Sequence, residues 1–484
     1  GTEPHSRKAD KSSKPPAVNC YCGGMGICST AYIGDCVMKK RDLTVGGITG
    51  GLWAFAVPLM LGNIMQQLYN LADTWIVGRY VGDNALAAVG SSYTLITFLT
   101  SVIIGLSLGT GTFISIAFGK SRDDTIRNGI FTSAVLTAGV TLAITALFYI
   151  FLDPIISLLQ IPTELTADTR TYLAWIFIGF FATFIYNFFA NILRGMGNSS
   201  VPLVFLGISV IMNIGLDMLF IIPFSMGIAG AAIATVISQY CSAVGILLYF
   251  ILAGKQYIPH KRDMKFDRGN IRDILSLSGF TCLQQSVMNF GILMIQGLVN
   301  SFGSAVMAAF AVAVKIDTIA YMPVQDFGNA FSVFTAQNFG AGKHDRIKSG
   351  IKQSLISVVL FCAAVSTAVF FLSEPLMSLF CTDSSTIAIG TQYLRTEGLC
   401  YVGIGLLFML YGYYRAVNKP LMSVILTVFS LGTRVLLAYA LSPVPALGVT
   451  GIWISIPIGW FIADAVGVGY YMICGRNTKY YDKQ

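Results

Sequence analysis

Two polar side chains stand where an apolar run would place none. Asn213 and Asp217 interrupt the stretch Leu203–Ile222 and lie four residues apart, so they share one face of a helix. A second acid, Asp73 in Leu71-Ala72-Asp73-Thr74, interrupts another apolar run. A carboxylate at membrane depth is costly, turns toward a bundle interior or a wet cavity, and is functional by default. Such a carboxyl can take up a proton or hold a small cation, and its charge changes when it does. The bland alternative for Asn213 and Asp217 is a hydrogen-bonded packing pair. Thr235, on a further apolar run, either joins the site or ties helices together.

Other chemistries lack their parts. His5, His260 and His344 fall in the tail or in loops, which excludes a buried histidine relay and leaves carboxylates as proton carriers. There is no G-x-x-x-x-G-K-[ST] loop for a nucleotide and no H-E-x-x-H or nucleophile–base constellation, so no catalytic residues are assigned and an enzyme is not expected. Gly109-Thr110-Gly111 lies in an apolar span and reads as close packing between helices. Cys241, Cys282, Cys362, Cys381, Cys400 and Cys474 are too scattered for a disulfide framework or a metal site. Neither metal nor cofactor is expected.

The elements that would carry these residues are membrane spans. Of the 484 residues, 55% are hydrophobic and 11% charged, against roughly 25% charged in a soluble domain. Apolar segments alternate with short polar loops, and spans are expected near 50–72, 86–110, 130–152, 171–193, 202–223 and 228–252. A second set is expected near 273–299, 306–331, 352–372, 391–413, 421–441 and 449–473. The net charge of +8 sits mostly in short loops, so it does not point to nucleic acid. Lys120 and Arg122 follow span two, Lys255–Arg272 span six, Lys343–Lys352 span eight, and Arg476 and Lys479 span twelve. Loops 224–227, 300–305, 373–390 and 442–448 carry no Lys or Arg. The positive-inside rule then makes the basic loops and both termini cytoplasmic. The reading is a multi-pass protein of the cell (inner) membrane.

Residues 1–41 do not match the rest and are read as a disordered or non-native tail. Cys20, Cys22, Cys28 and Cys36 within it lack the paired C-x-x-C knuckles of a zinc site. The remainder repeats itself at a shift of 221 residues, which carries Phe118-Gly119 onto Phe339-Gly340 and pairs Gly82 with Gly303, Tyr172 with Tyr393 and Arg194 with Arg415. Six spans per half is an even number, so the halves share one orientation, as parallel repeats about the membrane normal do. The expected fold is an all-α integral membrane bundle: an N-lobe over 42–254, a cytoplasmic linker over 255–272, a C-lobe over 273–475 and a tail over 476–484. The acids do not follow the repeat. Asp73 pairs with Met294, Asp217 with Ala438, and Asn213 with Arg434. That asymmetry favours an ion site in the N-lobe alone. Pro58 breaks a backbone hydrogen bond within span one and is a candidate hinge. Lys315 and Asp317 read as an ion pair or as cavity residues, and Glu397 as a partner of Arg395 or Arg434.

The chain resembles the multidrug and toxic compound extrusion (MATE) transporters, and within them the DinF-like branch. The residues that carry the resemblance are Pro58 with Gln66, Leu71-Ala72-Asp73-Thr74 with Gly78, and Ser115-Ile116-Ala117 before Gly119. Further on they are Arg194-Gly195, Asn213-x-x-x-Asp217 and Gln337-Asn338-x-Gly340-Ala341-Gly342. The resemblance implies twelve transmembrane helices in two six-helix lobes forming a V-shaped bundle. It implies antiport, with H⁺ or Na⁺ entering as an amphipathic organic cation leaves. It places the coupling site at Asp73, Asn213, Asp217 and Thr235, with Tyr172 and Asn187 in the surrounding polar network; the substrate cavity is expected to be lined by Gln66, Tyr69, Asn70, Tyr172, Tyr186 and Asn187, the tyrosines able to stack on a flat cation. The partners expected are organic cations and the lipid bilayer, with the chain a monomer. The alternative is a lipid-linked precursor flippase of the same superfamily, for which Arg395, Arg415 and Arg434 would face a pyrophosphate.

Overall fold

The computed structural model describes residues 41–158, 161 and 163–475. The tail expectation for residues 1–40, its four cysteines and residues 476–484 lie outside them. In lipid a backbone must satisfy its own hydrogen bonds, and the described chain is helix after helix. The first lobe holds α1 (Ile48–Tyr80), α2 (Asp83–Gly119), α3 (Asp123–Ile150), the short α4 (Leu152–Leu158), α5 (Thr163–Ile178), α6 (Phe180–Gly195), α7 (Ser200–Ile221) and α8 (Gly227–Ala253). The second lobe holds α9 (Arg268–Asn300), α10 (Ser304–Gly340), α11 (His344–Ser378), α12 (Ser384–Gly398), α13 (Tyr401–Ala416), α14 (Pro420–Leu441) and α15 (Val449–Tyr470). Ten of these helices are long and apolar enough to span a membrane, and twelve spans result when each of two bent pairs is taken as one.

The spans expected near 171–193 and 391–413 are the two bent pairs. α5 and α6 meet at 40° around Gly179, and α12 and α13 meet at 53° around Leu399-Cys400. Gly179 and Cys400 are repeat partners, so the break belongs to the repeated unit. The turns before α2 and α10 repeat as well: Gly82 has φ +117° and Gly303 has φ +99°, a region that glycine enters without strain.

The lobes interlock at the end that carries the basic loops. Leu52, Phe55, Ala56, Leu59 and Met60 of α1 pack into the second lobe's core. Ile274 and Leu277 of α9 pack into the first lobe's core. α2 runs along α9, where a Cβ on Gly109 would lie 2.3 Å from the Ser278 Cα. At the same end α2 crosses α10. A Cβ on Gly119 would meet the Gln337 carbonyl at 2.0 Å, and one on Gly340 the Ile116 carbonyl at 2.1 Å. Only glycines let two helix backbones approach so closely.

Candidate functional site

Between the lobes lies a cleft of about 700 Å³. α1 turns one polar stripe into it, Asn63, Gln66, Asn70 and Asp73, at the three- and four-residue spacing of a single helix face. Its opposite face carries Leu68, Leu71 and Trp75, all strongly exposed, as a lipid-facing surface requires. The same sequence pattern therefore sets the outside of the bundle and the lining of its cavity.

The four coupling candidates come together where α1, α7 and α8 meet. Asp217 is completely buried and Asn213 is 1% exposed. The Asn213 amide bridges its neighbours: in the orientation that satisfies both ends, Nδ2 donates to Asp217 Oδ2 at 2.9 Å and Oδ1 accepts from the Thr235 backbone N–H at 3.2 Å. The Thr235 hydroxyl lies 3.3 Å from the Tyr69 hydroxyl. Asp73, from α1, is buried and lines the cleft, and its charge is close enough to interact with that of Asp217. One oxygen of each acid, Asp73 Oδ1 and Asp217 Oδ1, is buried with no hydrogen-bond partner among the described residues. Two carboxyls, an amide and a hydroxyl make an oxygen-rich pocket suited to a proton or a hard monovalent cation.

Gln66, Tyr69, Asn70, Tyr172, Tyr186 and Asn187 all line the cleft. The Tyr186 O–H is already committed, donating to the Pro202 carbonyl at 2.9 Å. The Asn187 amide is bound back to the Thr183 carbonyl at 2.9 Å. Pro58 sits inside α1, which runs unbroken from Ile48 to Tyr80; it does not line the cleft.

Sequence reasoning missed the second lobe's share of the lining. Asp326 of α10 is 3% exposed and accepts from Asn63 Nδ2 at 2.6 Å, a bond that joins the lobes. Gln284, Gln285 and Asn329 line the same wall, as do Arg194 and Arg415. The repeat pairing of the two arginines was the available signal, and their common cavity was not visible in it.

The second lobe contains a buried acid cluster that includes Asp317 and Glu397. Tyr401 donates its hydroxyl to Asp317 Oδ1 at 2.6 Å. Glu397 lies against Asp317 and Tyr393, within charge-interaction range of Arg434. The expected pairing of Lys315 with Asp317 does not form, because Lys315 is exposed while Asp317 points inward. Arg395 turns away from Glu397 and donates to Ser373 Oγ at 3.1 Å. Asp317 does not line the cleft.

With this geometry in hand, comparison with known proteins is direct. The chain matches the MatE family model over residues 58–219 and 280–440. It is 30% identical over 436 residues to the probable multidrug resistance protein YpnP of Bacillus subtilis, covering 90% of this chain and 97% of that protein. It is 26% identical over 434 residues to the probable multidrug resistance protein YoeA of the same organism, covering 88% and 94%. An outward-facing multidrug resistance MATE family transporter of the MOP superfamily shares the fold with a TM-score of 0.84 at 25% identity, over 90% of this chain and 97% of that one. Sequence and architecture agree from end to end of the membrane bundle, and the chain belongs to the MatE family of membrane transporters.

Proposed function

We propose that this chain is a secondary active multidrug efflux transporter. It exchanges H⁺ or Na⁺ for amphipathic organic cations by alternating access. The observation that carries the reading is the first-lobe pocket in which Asp217 is buried against Asn213 and Thr235 while the buried Asp73 reaches the cleft. Protonating or occupying this pair removes negative charge from the cleft wall, which weakens its hold on a cationic cargo. Releasing the ion restores the charge and the affinity. Ion and cargo thus compete for one carboxylate network.

The chain acts as a monomer in the cell's inner membrane, with both termini cytoplasmic. Supporting that orientation, the basic turns gather at one end, where Arg41 N donates to the Gly197 carbonyl and Lys343 Nζ to the Thr44 carbonyl. The cleft is shut at this end by the α2–α10 crossing, so the conformation is outward-facing. Relatives that carry multidrug resistance names over nearly their whole length support cargo of that kind. They do not favour a lipid-linked precursor flippase.

The experiment is uptake of a cationic dye into proteoliposomes under an imposed pH or Na⁺ gradient. Wild type is expected to respond to one of the two gradients, and Asp217→Asn and Asp73→Asn to lose that response at equal protein level. Full gradient-driven transport in both variants would end the proposal.

A further inference from the structure

We propose that Lys315 of α10 is a built-in counter-ion for Asp73: when the open half of the cleft closes, its ammonium takes the Asp73 carboxylate in place of ion or cargo. The inference rests on the alternating-access reading above.

Lys315 is exposed and forms no ion pair among the described residues. It lies about 16 Å along α10 from Ser304, a depth at which an ionisable side chain points to function. It continues the row Thr318, Met322, Asp326 and Asn329 at three- and four-residue spacing, and those four line the cleft. Lys315 therefore stands on the cleft face of α10.

Two contacts fix the register of α10 against α1. Asn63 Nδ2 donates to Asp326 Oδ1 at 2.6 Å, and Gln67 Nε2 lies 3.9 Å from Met322 Sδ. The helices run antiparallel, so four residues forward on α1 match four residues back on α10. Carried toward the open end of the cleft, the same register sets Thr74 opposite Lys315, with Asp73 beside it. Asp73 and Thr74 both line the cleft. Asp73 and Lys315 each lie roughly 10 Å beyond the Gln67–Met322 contact. Neither follows the internal repeat: the first lobe has Thr94 at the position of Lys315, and the second has Met294 at that of Asp73. Each lobe thus adds one charge, of opposite sign, at one depth on facing helices.

A solvated surface lysine is the plain alternative. While the cleft is open, water hydrates the ammonium and its cost is small. Closing this half of the cleft strips that water. An ammonium buried without a partner is strongly unfavourable, and a matched lysine–carboxylate pair is far less so. Asp73 is the acid that the register supplies. A cationic cargo binding from the basic side must then take Asp73 from Lys315, which undoes the closure and turns the cleft outward. Once cargo has left, two carboxylates against one ammonium leave a negative charge unmatched on closure. The coupling ion must therefore neutralise Asp217 before the cleft recloses. Lys315 in this way ties the return step to the ion.

The test is the distance between spin labels on the α1–α2 and α9–α10 turns, measured in nanodiscs with the driving ion and without cargo. Wild type is expected to populate a short, closed distance beside the open one. Lys315→Gln leaves Asp73 unmatched on closure and should lower the closed-to-open ratio roughly tenfold, the worth of one charge-assisted hydrogen bond. Asp73→Asn should lower it similarly, by orphaning the lysine. The double variant buries neither charge and should recover most of the wild-type ratio. If Asp73→Asn does not fold, Lys315→Arg serves in its place: it keeps the charge and should hold the ratio that Lys315→Gln loses. An unchanged ratio in Lys315→Gln overturns the pairing, and so do losses that add in the double variant. A wild type with a single distance under ion, cargo and neither would instead overturn the alternating-access reading, and the pairing with it.

Discussion

Leu43 donates its backbone N–H to Gln337 Oε1 at 3.1 Å, and that glutamine donates its Nε2 to the Gly195 carbonyl at 2.9 Å. One completely buried side chain therefore joins the segment before α1, the end of α6 in the first lobe and α10 in the second. Asn338 Nδ2 and Arg346 Nη2 add bonds to the Leu43 carbonyl at 3.2 Å each, and Leu43 itself is 3% exposed. The segment 41–45 is a strap across the closed end. The Gln337–Gly195 bond ties α6 of the first lobe to α10 of the second, so opening the cleft on that side is expected to break it. We expect Gln337→Ala to populate a state open at the basic end. Spin labels on the α2–α3 and α10–α11 turns should report a longer distance population than in wild type. An unaltered distance distribution would show that the strap does not hold the gate.

The glycine crossing beneath the strap makes a separate prediction. A Cβ on Gly119 has no room against the Gln337 carbonyl, which is rigid helix backbone. Gly119→Ala and Gly340→Ala should each push α2 and α10 apart. Each should lower the melting temperature of the purified protein and shift the same spin-label distances outward. If both substitutions are silent, the crossing is looser than its geometry implies.

Within the coupling pocket the geometry ranks the residues. Asn213 holds Asp217 at 2.9 Å, whereas the Thr235 hydroxyl makes a longer contact of 3.3 Å with Tyr69. Asn213→Ala leaves a buried carboxyl oxygen without its donor, a loss of about 1–3 kcal/mol. Gradient-driven uptake should therefore fall more in Asn213→Ala than in Thr235→Val, and most in Asp217→Asn. The reverse order for Asn213 and Thr235 would place the ion nearer the hydroxyl.

Much of this was legible in the residues. The 221-residue repeat announced two equivalent lobes, and the glycines with positive φ at Gly82 and Gly303 are its backbone expression. Asp73 and Asp217 stood out because apolar runs tolerate acids poorly. The bends at Gly179 and Cys400 did not stand out, because apolar sequence reads alike whether a helix is straight or broken. The meeting of Asn63 with Asp326 was also hidden, since it depends on how two lobes pack and each residue alone is an ordinary polar side chain in a span. The same holds for Arg194 and Arg415, whose spacing showed a repeat and whose shared cavity is tertiary.

The linker between the lobes gives a pH prediction outside the membrane. Arg127, at the start of α3, donates its Nε to Asp263 Oδ2 at 2.8 Å and its Nη1 to the Gln256 carbonyl at 3.2 Å. Asn128 Nδ2 binds the Asp263 carbonyl at 2.8 Å. Burial raises the proton affinity of Asp263, but the His260 backbone N–H and the Arg127 guanidinium outweigh it and hold the carboxyl below its usual range. A carboxyl depressed in the folded state binds fewer protons there than in the released state. Its contribution to docking is therefore complete above the ordinary aspartate value of about 3.9 and is lost as pH falls through the lower docked value. The linker of wild type should stay resistant to an acid protease down to roughly pH 4 and become cleavable below it. Arg127→Gln removes the partner at every pH, so trypsin should cut at the exposed Lys261-Arg262 at neutral pH far faster than in wild type. Equal neutral cleavage rates in the two proteins would mean that the ion pair does not dock the linker.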